Sequence, residues 1–311
     1  MIINIPIIPL SISINSDFNG KSIRGLTSRG GLEMKIKINK ILEFMLAWIF
    51  MSWLPQAAIA EDRINRLISI LEAGRPAIGV WTGALSAPRI VKVLATSDAD
   101  FIVADVEHDI YDFGMLHRFL LEVQDFNNRY RTEPRIAPVV LVKLANRATW
   151  DPRYEIAESL KVGPAMGIWI PMVESRADLE RAISAVRGAE TSAMAGLNIP
   201  KEHRDVWPLN PQGELLVVAM IETEEGVRHA QEIVETPGVS AIETVHIPDA
   251  DARRILKMCR EHQVISAINA TPEDIKAKID AGYKLISVGW DFALLQKGLS
   301  DTFKAMRLAI K

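Results

Sequence analysis

The sequence is poor in cysteine and in charge of one sign, and each shortage excludes a class of protein. Cys259 is the only cysteine in 311 residues, which rules out an internal disulfide and a multi-cysteine zinc site. The 36 basic and 39 acidic residues give a formal net charge of −3 without long blocks of one sign, so there is no electrostatic footprint for nucleic acid. A small-molecule substrate is the better expectation, and any metal must be bound by carboxylate, imidazole or water.

A glycine-rich phosphate loop is also missing. An open, doubly wound sheet that binds a nucleotide carries a glycine-x-glycine turn after its first strand. Here Thr82-Gly83-Ala84 follows the first predicted strand. This absence favours a closed (β/α)8 barrel, which needs roughly 250 residues.

The N-terminal region lacks an apolar run long enough to cross a membrane comfortably. Residues 34–60 contain three lysines, an apolar run at 41–54 and then Ala58-Ile59-Ala60. This order is typical of a secretory signal peptide, and the run is shorter than the ~20 residues that a spanning helix needs. An ordinary buried N-terminal helix is the alternative interpretation.

The signal interpretation divides the chain into three parts. Met34 is expected to be the true start, with 1–33 an over-extended reading frame and cleavage before Glu61. The working protein would then be 61–311, periplasmic or secreted, with no stable membrane span. If the segment is an ordinary helix, the protein is expected in the cytoplasm.

After Glu61, short apolar runs alternate with longer amphipathic stretches, which is typical of βα units and a parallel sheet. The predicted strands are 77–82, 101–105, 139–143, 167–171, 216–222, 241–246, 264–269 and 285–290. Predicted helices include 175–187, 224–235, 249–262 and 271–281. The last is expected to begin with Thr271 as its N-cap and Pro272 in its first turn. Residues 188–213 are predicted to form a long loop.

Polar residues follow several predicted strands, where the active site of a (β/α)8 barrel lies. They are Asp105, Glu107 and His108 after strand two, Lys143 after strand three, Glu222 after strand five, His246 and Asp249 after strand six, and Asp291 after strand eight. Carboxylates with few imidazoles suit Mg²⁺ or Mn²⁺, which can chelate a 2-oxo acid and stabilise an enolate. A neighbouring histidine can then move a proton. Each single acid is equally compatible with a helix cap or a salt bridge.

Six sequence blocks, in this order, resemble the HpcH/HpaI aldolases and, more distantly, the citrate lyase β-subunit group. The blocks are Gly79-Val80-Trp81, Asp105-Val106-Glu107-His108, the run from Gly167 to Val173, Ile221-Glu222-Thr223, Pro237-Gly238-Val239 and Val288-Gly289-Trp290-Asp291. The resemblance implies a (β/α)8 barrel of the phosphoenolpyruvate/pyruvate-domain type, usually oligomeric. It also implies a class II pyruvate aldolase with Mg²⁺ or Mn²⁺ that reversibly cleaves 4-hydroxy-2-oxo acids into pyruvate and an aldehyde.

The resemblance also implies roles for individual residues. His108 is expected to be the catalytic base with Asp105 beside it, and Glu222 and Asp249 are expected to bind the metal. Asp249 fits the family pattern only if one inserted residue is accommodated. His246 is therefore an alternative ligand.

Two lysines depart from the family pattern. Lys143 stands where the family has the arginine that holds the substrate carboxylate, so it keeps the charge and loses the bidentate fork. Arg147 is expected to compensate, and Trp81 is a candidate to line the substrate pocket. Lys161 stands where the family has an aspartate that supports the base. These departures predict a divergent member.

Three hypotheses follow for the function. The first is a divalent-metal-dependent carbon–carbon lyase, an aldehyde-lyase that cleaves or forms a 4-hydroxy-2-oxo acid through a pyruvate enolate. The second is a lyase of the citramalyl or malyl thioester type. The third is a catalytically silent 2-oxo-acid binding protein, which Lys161 and the altered turn before Asp249 favour.

Overall fold

Eight short parallel strands are hydrogen-bonded in chain order, and the last pairs with the first to close a barrel. In this computed structural model, the described residues are 63–83, 88–108, 111–130, 138–161, 165–189 and 200–310. The strands are β1 (Ala77–Thr82), β2 (Phe101–Asp105), β3 (Val139–Lys143), β4 (Ala165–Ile170), β5 (Leu216–Ile221), β6 (Ala241–Thr244), β7 (Ile265–Asn269) and β8 (Leu285–Trp290). The predicted (β/α)8 barrel is confirmed. The predicted segments 1–33 and 34–60 lie outside the described residues.

Helices connect the strands and cover the outside of the barrel. They are α1 (Arg66–Glu72), α2 (Pro88–Ala95), α3 (Phe113–Tyr130), α4 (Arg153–Leu160), α5 (Arg176–Gly188), α6 (Glu224–Arg228), α7 (Ala230–Val234), α8 (Asp249–Glu261), α9 (Ile275–Ala281) and α10 (Asp291–Ala309). Within the part of the chain described, no helix is both long and apolar enough to cross a membrane.

The barrel core is apolar on both faces of its strands. Every residue of β2, β3, β4 and β5 is buried, as expected for parallel strands covered by helices. Inside the barrel the ring centroid of Trp169 lies 5.1 Å from that of Trp81 and 6.4 Å from that of Phe101. Gly79 makes room for this cluster, because a Cβ there would lie 2.5 Å from the Phe101 ring. The aromatic layer forms the floor beneath the barrel mouth.

Several predicted boundaries were wrong, for local reasons. Strand six ends at Thr244 and not at 246, and His246 has a positive φ of 54°, so the chain has already left the strand. The predicted helix 271–281 begins only at Ile275, and residues 272–274 form a turn in front of it, in which the Asp274 carboxylate accepts the Thr271 backbone N–H at 2.7 Å. The predicted helix 224–235 is two short helices that meet at His229.

The predicted loop 188–213 is only partly within the described residues. Lys201–His203 forms one turn of 3₁₀ helix, and Val206 makes an isolated bridge with Leu215 just before β5. Residues 190–199 fall outside the described ranges.

The C-terminal helix α10 leaves most of its apolar surface exposed. Phe292, Leu295, Leu299, Phe303 and Met306 recur at helical spacing and are each between 52 and 65% exposed. The helix is in contact with β1 and β8. A continuous apolar row of this kind is unusual on the surface of a monomer.

Candidate active site

Asp105, the last residue of β2, determines how the chain turns over the barrel mouth. Its side chain is fully buried, and Oδ1 accepts the backbone N–H groups of Glu107 at 2.7 Å and His108 at 2.9 Å. Its other oxygen, Oδ2, lies 2.9 Å from His108 Nδ1. One aspartate therefore both shapes the turn and orients the imidazole that follows it.

The contacts of His108 indicate which ring nitrogen is free. Nδ1 lies 2.9 Å from Asp105 Oδ2 and 3.4 Å from Lys143 Nζ. The closer partner is an anion, so we assign the proton to Nδ1, where it is donated to Asp105. Nε2 then keeps its lone pair on a side chain that is 56% exposed and lines the cleft. This is the arrangement of a general base held by a carboxylate.

Lys143, at the end of β3, supplies the positive charge on one wall of the cleft, beside Glu107 and His108. Its buried ammonium forms an ion pair with Glu107 and lies 3.5 Å from Asp105 Oδ2. It also lies 5.6 Å from the centroid of the Trp81 ring, within the range of a cation–π contact. The single positive charge of the ammonium is therefore shared between two neighbouring carboxylates.

The opposite wall carries two further carboxylates, on the strands β5 and β6. Glu222 directly follows β5, and its Oε1 accepts the Met172 backbone N–H at 2.8 Å. Glu243, the third residue of β6, is only 2% exposed, and its Oε2 accepts the Trp169 indole N–H at 2.9 Å. The pKa of Glu243 is raised to about 7, chiefly by burial and also by the negative charge of Glu222, although the Trp169 hydrogen bond and Lys143 act to lower it.

These walls enclose a cleft of about 640 Å³ at the carboxyl ends of the strands. Aromatic rings close one side, with Trp290 centred 5.7 Å from Trp81 and 5.6 Å from His108. Val245, His246 and Asn269 contribute to its lining. The volume suits a small organic acid, with charged groups on two walls and aromatic rings on a third.

The structure brings together some, but not all, of the residues singled out from the sequence. Trp81, His108, Lys143, Glu222 and the alternative ligand His246 line the cleft, and Asp105 lies against His108.

Three others lie elsewhere. Arg147 is exposed in the connection after β3, and Asp249 is exposed in the first turn of α8; neither lines the cleft. Lys161 is exposed at the end of α4, where it pairs with Glu158 at 3.1 Å. The binding roles expected for Arg147 and Asp249 remain predictions.

Sequence reasoning missed Glu243. Its position does carry a signal, because it is the charged residue of the apolar strand Ala241–Thr244. Side chains alternate along a strand, so Glu243 and Val245 point to the same side, and Val245 also lines the cleft. An acid at an inward position of a barrel strand deserves the same attention as an acid at the strand end.

A potential metal-binding cluster of three side chains occurs within the described residues, and it includes residues singled out from the sequence. Ligand atoms of Asp105, Glu107 and His108 lie within 4.8 Å of one another. The ammonium of Lys143 contacts both carboxylates of this cluster. A divalent cation would have to displace that ammonium, so this wall fits a metal poorly. Glu222 and Glu243, as hard oxygen donors in the same cleft, fit one better.

The comparison with protein families identifies the chain. The HpcH/HpaI aldolase/citrate lyase family model matches residues 77–288. The chain belongs to the HpcH/HpaI aldolase/citrate lyase family. The resemblance seen in the sequence is thereby confirmed.

Curated relatives of this family member include 4-hydroxy-2-oxo-heptane-1,7-dioate aldolases. The protein of that name from Shigella boydii serotype 18 is 22% identical over 273 residues, covering 79% of this chain and 98% of the relative. The one from Klebsiella pneumoniae is 24% identical over 184 residues, covering 57% and 63%. The names of the family and its relatives indicate an aldolase or lyase.

Solved structures show the same fold. The HpcH/HpaI aldolase from Desulfitobacterium hafniense DCB-2 superposes with a TM-score of 0.63 at 19% identity, covering 78% of this chain and 96% of that one. Macrophomate synthase gives a TM-score of 0.61 at 18% identity, covering 79% and 90%. At these identities the likeness supports the barrel fold.

Proposed function

We infer that this family member is a divalent-metal-dependent carbon–carbon lyase that cleaves or forms a 4-hydroxy-2-oxo acid. The observation that carries this proposal is the Asp105–His108 pair, which presents a free imidazole nitrogen to a cleft that also contains carboxylates. Cleavage of such an acid needs a base for the 4-hydroxyl proton and stabilisation of the charge that develops on the 2-oxo group. Both requirements have candidate groups in one cavity.

In the cleavage direction, His108 Nε2 takes the proton of the 4-hydroxyl group. The C3–C4 bond then breaks, releasing an aldehyde and leaving the enolate of pyruvate, which takes a proton at C3 from the His108 imidazolium. Asp105 stabilises the imidazolium and keeps Nδ1 protonated, as a carboxylate does for other catalytic histidines. A divalent cation, when bound, supplies Lewis-acid polarisation of the carboxylate and 2-oxo oxygens. Glu222 is the first residue that would hold it.

The position of Lys143 limits its ability to bind the substrate carboxylate, the role expected from the sequence. A substrate carboxylate would have to compete with Glu107 for its ammonium. We therefore propose that Lys143 sets the charge of this wall and that Trp81 and Trp290 shape the substrate pocket. Loss of the arginine fork is consistent with an altered substrate preference.

Pyruvate release tests the proposed reaction. The purified protein is incubated with Mg²⁺ or Mn²⁺ and a panel of 4-hydroxy-2-oxo acids that includes 4-hydroxy-2-oxo-heptane-1,7-dioate, with a chelator as control. We expect metal-dependent release of pyruvate from at least one member. If pyruvate binds but no member of the panel is cleaved, the protein is instead a silent 2-oxo-acid binder. Cleavage of citramalyl or malyl thioesters alone would select the second alternative.

We also propose that the protein is a homo-oligomer. The support is the exposed apolar row of α10 from Phe292 to Met306. Ile78 of β1 and Val288 of β8 are also exposed, on the two strands that α10 contacts. A second copy is the occupant that would bury both apolar surfaces by one symmetric contact.

We propose, finally, that the protein is exported and begins at Glu61. The support is the order of basic, apolar and small residues in 34–60. N-terminal sequencing of the protein from its native host should find Glu61 first, in the periplasm or the medium. An intact Met1 or Met34 in the cytoplasmic fraction would refute export.

A further inference from the structure

Glu222 and Glu243 differ from Glu107, which also lines the cleft, because within the described residues neither of them forms an ion pair, whereas Glu107 pairs with Lys143. Each has one oxygen held by a protein donor, the Met172 backbone N–H for Glu222 and the Trp169 indole N–H for Glu243. Among the described residues, no donor is hydrogen-bonded to the second oxygen of either side chain. Both side chains line the cleft. Carboxylates that bind metals are commonly oriented in this way, by one hydrogen bond from the protein.

The strand register places the two acids on the same side of neighbouring strands, with Glu222 nearer the barrel mouth. Met220 of β5 is the register partner of Glu243 in β6. Glu222 lies two residues beyond Met220 and therefore points to the same side of the barrel wall. The pair projects into the cleft from neighbouring strands.

The other acids in or near the cleft either contact a cation already or lie outside the lining of the cleft. Asp105 and Glu107 already contact the ammonium of Lys143. Asp249 is exposed in the first turn of α8 and does not line the cleft. A carboxylate in that position stabilises the helix through its dipole and needs no metal to explain it.

We propose that Glu243 takes the place expected for Asp249, so that Glu222 and Glu243 are the two carboxylates that hold the divalent cation. This inference rests on the proposed metal-dependent function. A carboxylate as buried as Glu243 is costly without a compensating cation, and oxygen donors are the ligands that Mg²⁺ and Mn²⁺ prefer. The structure thus accounts for the inserted residue before Asp249: the ligand has moved from the turn into the strand.

Binding of Mn²⁺ to the full chain tests the proposal without any assay of turnover. Chelator-treated wild type, Glu243→Gln and the matched control Asp249→Asn are titrated with Mn²⁺, and the free ion is measured by electron paramagnetic resonance. Loss of a hydrogen bond behind a ligand costs roughly 10- to 100-fold in metal affinity, so loss of a ligand should cost at least about 100-fold. We expect that loss for Glu243→Gln and a change below about 3-fold for Asp249→Asn.

If circular dichroism shows that Glu243→Gln does not fold, a second variant tests the same proposal. Trp169→Phe removes the indole donor behind Glu243 and should weaken Mn²⁺ binding by roughly 10- to 100-fold. Wild-type affinity in Glu243→Gln, or in Trp169→Phe if the former is unfolded, would overturn the proposal. So would loss of binding in Asp249→Asn, because Asp249 would then be a ligand.

The result also separates this inference from the proposed function. If the wild type binds Mn²⁺ and only Asp249→Asn loses it, the assignment of Glu243 is wrong and the metal-dependent lyase stands. If the wild type binds no Mn²⁺, the metal-dependent function itself fails.

Discussion

At the scale of single residues, the site depends on how Asp105 is used. Its two oxygens have different partners. Oδ1 accepts the backbone N–H groups of the turn that follows the strand, and Oδ2 orients the His108 ring. The imidazole is therefore positioned by the same side chain that ends the strand. Lys161, where the sequence resemblance implies a supporting aspartate, lies on the surface and pairs with Glu158, so Asp105 is the carboxylate that holds the His108 ring.

His108→Ala should lower the rate constant of cleavage by roughly 10²- to 10⁴-fold, the usual contribution of a general base. The Mn²⁺ affinity should stay unchanged, because His108 lies on the wall opposite Glu222. Steady-state kinetics measure the rate constant, and Mn²⁺ titration measures the affinity. If the variant keeps the wild-type rate constant from about pH 6 to 9, another residue is the base.

Glu243→Gln should stabilise the metal-free protein at alkaline pH. Burial raises the pKa of Glu243 from 4.5 to about 7, so the protonated form is the one that suits the fold. The stability it contributes is fully present below pH 4.5 and is lost as the pH rises through about 7. The amide remains neutral, so the variant should gain up to about 3 kcal/mol in unfolding free energy at alkaline pH.

Urea unfolding of the chelator-treated wild type and Glu243→Gln at about pH 5 and 8 measures the difference in unfolding free energy between them. The gain should be clear at the higher pH and much smaller at the lower one. An equal effect at both pH values would mean that Glu243 does not change its protonation between them.

At the scale of elements, sequence reasoning succeeded for short apolar strands and was less accurate at the ends of helices. The strands Phe101–Asp105 and Val139–Lys143 were predicted with their observed bounds, because each apolar run starts after a break, Asp100 or Pro138, and reaches a charged residue at its end. The start of α9 was predicted four residues too early, because residues 272–274 form a hydrogen-bonded turn before the regular helix begins at Ile275.

Whether a site residue was predicted from the sequence depended on its position relative to a strand. His108 and Glu222 were found because they follow strands, and the structure places both in the cleft. Glu243 was missed because it lies inside a strand, where an acid is normally excluded. Asp249 was expected at the mouth because it follows strand six and matches the family pattern, whereas the structure places it in the exposed first turn of α8, outside the lining of the cleft.

The exposed face of α10 should mediate self-association. Two negative charges in the middle of the apolar row, Leu299→Glu with Phe303→Glu, should convert the oligomer into monomers, because burying unpaired charges in an apolar contact is costly. Size-exclusion chromatography with light scattering gives the mass of each form. Ser300→Glu, elsewhere on the exposed part of the same helix, is the matched control. A monomeric wild type at micromolar concentration would contradict the proposal.

At the scale of the whole molecule, the balance of charges and the barrel agree with a small-molecule enzyme. The net charge of −3 provides no general attraction for polyanions, and the charged groups that matter are concentrated in the cleft. The barrel supplies the rigid frame, with Trp81, Trp169 and Trp290 shaping the floor and one side. Glu107 after β2, Glu222 after β5 and Glu243 of β6 then face one cavity, although they are far apart in the sequence.

The central claim is that this cleft forms the enolate of pyruvate with the help of a divalent cation. Exchange of the pyruvate methyl protons with deuterium oxide, followed by proton nuclear magnetic resonance, tests it without knowledge of the aldehyde half of the substrate. The account predicts exchange that stops on chelation, returns with Mg²⁺ or Mn²⁺, and is abolished in Glu222→Gln and His108→Ala. Saturating pyruvate that binds in the presence of metal but shows no exchange above the protein-free rate would contradict it.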